Sequence, residues 1–83
     1  MDIHVDFTQY RLGFDVRVLV ITQCHDLAGH LQSLLSRHTP TCLFQSQAVR
    51  ESEHVTWVVI RLQFRHANPP ERITTALNRE QQN

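Results

Sequence analysis

Three side chains with chemical potential stand in a row at Cys24, His25 and Asp26, and a second imidazole follows at His30. A thiol, an imidazole and a carboxylate are the parts of a nucleophilic or a metal-binding site. Their spacing argues against both uses. Adjacent residues on an extended segment point apart, and the step from His25 to His30 is not the three or four residues that put two ligands on one helical face. His4, His38, His54 and His66 would have to be delivered by the fold. His54 and His66 flank one alternating segment, roughly 40 Å apart at strand rise, too far to share an ion. Ser33, Ser36, Ser46 and Ser52 lack a nucleophile-elbow context, and the two glycines build no phosphate loop. Glu51 and Glu53 belong to a polar tip. No catalytic residue, metal or cofactor is implied, and the chain reads as a binding protein and not an enzyme.

Two other features suit binding. Cys24, His25, Asp26, Ala28 and Gly29 lie where an apolar run gives way to a helical pattern. A helix N-terminus offers unpaired N–H groups and a partial positive charge that can hold a carboxylate. Gly29 would allow close backbone approach. The plainer reading is that Asp26 caps the helix and Gly29 eases helix–sheet packing. The second feature is an outer strand face made of Val55, Trp57, Val59, Arg61 and Gln63, which sets an indole and valines where solvent favours polar groups and so suggests a partner surface.

Composition narrows the classes. Eighty-three residues make one domain, 1–83, with 41% apolar and 19% charged residues, neither a disordered tail nor a charged arm. The formal charge is zero, and all eight cations are arginine. Nucleic-acid binders draw affinity from a basic excess, absent here, and Trp57 with Arg61 has no second aromatic beside it. Two cysteines without a CxxC spacing read as free thiols of a reducing compartment. No basic-then-apolar leader opens the chain, and the run Val18 to Ile21 is far too short to cross a bilayer, so the expected location is the cytoplasm.

The elements follow from periodicity. Residues 3–8 alternate apolar and polar, as a half-buried strand does. Tyr10 to Gly13 form a turn. Residues 14–22 begin alternating and end in a continuous β-branched run, which predicts a strand whose second half is covered on both faces. Asp26 caps a helix over 27–37, with Leu27, Ala28, Leu31, Leu34 and Leu35 on one face, and Pro40 ends it. Residues 42–50 form a weaker strand, and 50–53 a hairpin tip. Residues 54–65 form a strand with Thr56, Val58, Ile60, Leu62 and Phe64 inward. Asn68, Pro69 and Glu71 open a last helix whose stripe is Ile73, Ala76 and Leu77, and residues 79–83 fray. The order β-β-α-β-β-α, with right-handed βαβ-type crossovers, gives an α+β ferredoxin-like two-layer sandwich: a four-stranded antiparallel sheet with two helices on one face.

Over residues 16–78 this pattern resembles the ACT domain, a small regulatory module of amino-acid metabolism, and especially the acetolactate synthase small subunits. Asp26, Gly29 and Leu31 stand where that family places an acidic residue, a glycine and a leucine after an apolar strand. Ala28 replaces its proline, and Thr39-Pro40 its later glycine-containing stretch. The resemblance implies a regulatory domain that binds an amino-acid effector at Cys24–Gly29, near a subunit interface, with Asp26 receiving the ligand ammonium. It implies a homodimer or docking on a partner enzyme; a ligand-free adaptor or inhibitor is the first alternative, and a nucleic-acid-binding ferredoxin-like domain the second. The family's fourth strand, which pairs beside its first, has no counterpart after the last helix. Residues 3–8 are expected to fill that place, antiparallel to 14–22.

Overall fold

The computed structural model describes residues 5–36, 42–65 and 68–81. Its elements run β1 (Val5–Leu12), β2 (Asp15–Thr22), α1 (His25–Ser36), β3 (Cys42–Arg50), β4 (Thr56–Phe64) and α2 (Glu71–Gln81). The four strands form one antiparallel sheet in the order β1-β2-β4-β3. This is the ferredoxin-like α+β arrangement the periodicity predicts. β1 occupies the outer edge beside β2 and pairs antiparallel to it, as expected for the first strand. Because β4 lies between β2 and β3, the link through α1 is a crossover between two parallel strands. It is the sole βαβ-type connection among the described elements, where the pattern suggested two.

The inward side of the sheet follows from the alternation. Val16, Val18, Val20 and Thr22 on β2 and Val58, Ile60, Leu62 and Phe64 on β4 are buried. They form one cluster with Val5 of β1, Leu27, Leu31 and Leu35 of α1, and Ile73 and Leu77 of α2. The register sets Val20 opposite Ile60 and Val18 opposite Leu62, so the two central strands meet apolar side to apolar side. Both helices therefore cover the same face. Arg72 of α2 donates from Nε to the Leu34 carbonyl at 3.2 Å, supplying an acceptor near the end of α1 with a partner from the other helix.

Several boundaries differ from the sequence reading. β1 continues through Tyr10 and Arg11 to Leu12, which pairs with Asp15, so the turn is only Gly13 and Phe14. Gly13 has φ +65°, a conformation that favours glycine, and Phe14 projects into solvent. Residues 3 and 4 lie outside the described part. The second half of β2 is not covered twice: Ile21 is 38% exposed, because no described element packs on the outer face. α1 starts at His25, two residues early. Asp26 is therefore in its first turn and is not the cap, and residue 37 lies outside the described part. Val55 precedes β4, and its carbonyl accepts from the N–H groups of Glu51 and Ser52 at the hairpin. At α2 the Pro70 carbonyl accepts from Ile73 and Thr74, so the helix opens one turn-position later than Pro69 suggests. Asn68 instead accepts from Arg11 Nη2 at 2.7 Å, tying β1 to the loop before α2. Arg79 and Glu80, read as frayed, belong to α2.

Gly29 sits exposed inside α1, and a Cβ placed there would meet nothing within 4 Å. Neither close approach nor sheet packing requires a glycine. Gly29→Ala is expected to raise stability by about 0.5–1 kcal/mol, the helix-propensity difference. A urea titration checks this; destabilisation would mean that α1 does not follow this path.

Candidate functional site

The turn from β2 to α1 is organised by its own groups. Thr22 is buried, and its Oγ1 accepts from the Cys24 N–H at 2.9 Å. Leu27 N–H donates to the Cys24 carbonyl at 3.2 Å, closing the first turn. Cys24 and Ala28 pack against the core, whereas His25, Asp26 and Gly29 are exposed. Asp26 places a carboxylate in the first turn. It already complements the helix dipole, and a ligand carboxylate would have to approach beside a like charge. One backbone donor is taken by Thr22 and the partial positive end is matched by Asp26. The five residues span 24–29, with the buried Leu27 between Asp26 and Ala28 turned into the core.

The outer face of the sheet is a different kind of surface. The register orders it in rows across the strands. Tyr10, Arg17, Gln63 and Leu43 form one row; Thr8, Leu19, Arg61 and Gln45 the next; Asp6, Ile21, Val59 and Gln47 the third; Trp57 and Val49 close the far end. Of the expected interface, Trp57, Val59 and Arg61 lie on this face, and Val55 lies in the loop before it. Trp57 and Val59 are half-buried and Arg61 is exposed. The indole N–H of Trp57 donates to Glu51 Oε2 at 2.6 Å, so its polar end is held within the hairpin. The apolar excess is spread more widely than Trp57 suggests, since Tyr10, Leu12, Ile21, Leu43 and Val49 are also exposed. The first two rows border a shallow trough of about 570 Å³ on this face.

The two sheet edges differ. β1 carries Asp6 and Arg11, contacts α2, and is tethered through Arg11. β3 meets α1 instead, and its one charge is at its end. Only Cys42 and Phe44 reach the core, and every residue from Gln45 to Arg50 is exposed, on both faces of the sheet. The strand runs nine residues without proline, bulge or internal charge, and its single ionic group is the terminal Arg50. Arg50 is itself turned to the tip, donating from Nε to the Ser52 carbonyl and from Nη2 to the Glu53 carbonyl, each at 3.2 Å. Proteins usually guard an edge strand with charges, bulges or cover, because its free N–H and C=O groups invite another strand. Weak strand character was legible at 42–50; that it would be a bare edge was not, because edge position depends on β4 lying between β2 and β3.

Burial pushes the Cys42 thiol above its ordinary pKa, an effect partly offset by a hydrogen bond from the Gln63 backbone. Cys42 is therefore a protonated, packed side chain at neutral pH. Cys24 and Cys42 are both free and half-buried. Among the described residues, no group of three or more His, Cys, Asp and Glu side chains is placed to hold a metal ion; His4, His38 and His66 lie outside them. No helix among them is long and apolar enough to cross a membrane.

No family model, curated protein or solved structure matches the chain.

Proposed function

We infer that the chain is a non-catalytic regulatory or binding domain that associates with a second copy of itself through the β3 edge, joining two sheets into one of eight strands. The observation that carries this is the uncovered, uncharged interior of β3. The sequence of the strand is self-complementary about Ser46. Antiparallel pairing centred there puts Leu43 against Val49 on the outer face and Phe44 against Ala48 on the helix side. Gln45 meets Gln47, Cys42 meets Arg50, and Ser46 meets its own copy. All nine residues find partners and no like charges oppose one another. This isologous contact is the commonest form of homodimer. The resemblance to ACT domains, in which effectors bind near a subunit interface, supports the same reading, as does β1 in the place of the family's last strand.

One strand pair falls short of the roughly 800 Å² per partner of a standard interface, so the dimer is weak and reversible, with a dissociation constant on the order of micromolar. Sedimentation equilibrium over a wide concentration range tests it. A monomer–dimer equilibrium supports the reading, and a monomer up to about 1 mM, where only some 4 kcal/mol of association would be needed, removes it.

A further inference from the structure

We propose that the trough on the outer face of the sheet binds a small molecule bearing a carboxylate or phosphate, held between Arg17 and Arg61. Arg17 stands directly across from Gln63, and Leu19 directly across from Arg61, so the two arginines are diagonal neighbours on the central strands. Their Cβ atoms lie roughly 7 Å apart. Two guanidinium groups at that spacing can close on one oxyanion, and arginine's planar fork suits carboxylate and phosphate equally.

The residues directly across the strands from them are uncharged. Across the sheet, Arg17 faces Tyr10 and Gln63, and Arg61 faces Leu19 and Gln45. Asp15 is the nearest carboxylate along β2, and its Oδ2 accepts from Gln63 Nε2 at 2.8 Å. No acidic side chain lines the trough itself. Arg17 also carries an internal sign of an unmet partner. Its Nε is shut off from solvent and has no hydrogen-bond partner among the described residues. A buried donor of a charged group left without an acceptor is costly. An incoming oxyanion would supply that acceptor, with rotation of the exposed Tyr10 opening the way. Leu19 and Leu43 give the trough an apolar floor and wall, so the fitting ligand has a short hydrocarbon or planar body behind its anionic end.

The site is built within one chain and goes beyond the edge contact proposed above. It shares Leu43, Phe44 and Gln45 with β3, but the anion's partners Arg17 and Arg61 lie on β2 and β4 and take no part in the edge contact.

Arginine Nε–Hε resonances report on it directly. Succinate and inorganic phosphate, each titrated at fixed ionic strength, serve as the two probes. Arg17 and Arg61 are expected to shift together and saturate with a midpoint on the order of 1 mM, as befits so small a ligand, while Arg72 and Arg79 stay in place. Saturation with succinate alone assigns a carboxylate ligand, and with phosphate alone a phosphate ligand. Arg17→Gln and Arg61→Gln should each weaken binding by about tenfold or more. Arg61 is exposed, so its variant tests the site without threatening the fold. Parallel, unsaturated shifts of all arginines, or unchanged binding in both variants, would overturn the proposal. The titration repeated on the Ser46→Lys chain separates the two ideas: binding retained in a monomer keeps the anion site whatever becomes of the edge contact.

Discussion

Phe64→Ala should bring the domain close to unfolding. Phe64 is fully buried on β4, opposite Val16 of β2 and Cys42 of β3, and is among the largest wholly enclosed side chains. Removing a ring from such a site costs about 3–5 kcal/mol, the lost transfer energy plus the cavity left behind. A domain of this size has about 4–12 kcal/mol in total. The melting temperature should therefore fall by roughly 15 °C or more. Phe14→Ser is the contrasting case: Phe14 is 78% exposed in the β1–β2 turn, and its change should lie within about 0.5 kcal/mol. Thermal and urea unfolding of both variants measure the difference. A loss below about 1 kcal/mol for Phe64→Ala would mean that the helix-covered side of β4 is not the core.

The second large effect is on association. In the proposed pairing Ser46 is the residue that faces its own copy, so one substitution introduces two like charges on adjacent strands. Ser46→Lys places two like-charged side chains opposite one another with their Cβ atoms roughly 5 Å apart. At effective dielectrics between those of a protein surface and water, this costs about 1–3 kcal/mol and should weaken the dimer roughly 10- to 100-fold. Ser46→Asp should do the same. An equimolar mixture of the two should pair again, as a heterodimer, because opposite charges then meet. Ser46 is exposed, so neither variant disturbs the core. Trp57→Arg should leave the mass unchanged, since Trp57 lies on the outer face and not at the edge. The reverse pattern, dimers lost with Trp57→Arg and kept with Ser46→Lys, would move the contact to the face.

The fold was legible because each element carried its own period. Thr56, Val58, Ile60, Leu62 and Phe64 alternate strictly, and Leu27, Leu31 and Leu35 recur at helical spacing. The edge position of β1 followed from one hairpin and one vacancy. Boundaries were harder. Asp26 looks like a cap because an acidic residue favours both the cap and the first turn, and only the backbone bonds of Cys24 distinguish them. Asn68 has the right side chain for a cap, yet it is drawn to Arg11, a partner 57 residues away in sequence. The four phenylalanines cannot be ranked by type, although Phe64 is enclosed and Phe14 is bare.

The proposed surfaces were least visible, for a topological reason. Arg17 and Arg61 are separated by most of the chain and become neighbours only through the β2–β4 register. The bare edge of β3 exists because β4 inserts between β2 and β3. Local motif reading favoured Cys24–Gly29, where residue types are concentrated, because it sees only neighbours in sequence and not residues brought together across strands. Trp57 and Val59 drew notice through strand alternation, which separates the two faces of β4 but does not show that Arg17 and Arg61 meet on the outer one.

Interchain nuclear Overhauser effects in an equimolar mixture of isotope-labelled and unlabelled chains test the edge contact most directly. Leu43 and Val49 are six residues apart on one strand, roughly 20 Å, and cannot touch within a chain. Pairing about Ser46 predicts interchain cross-peaks from Leu43 to Val49 and from Phe44 to Ala48. Interchain peaks among Ile21, Trp57 and Val59 instead, or none at concentrations where dimers are present, would contradict it.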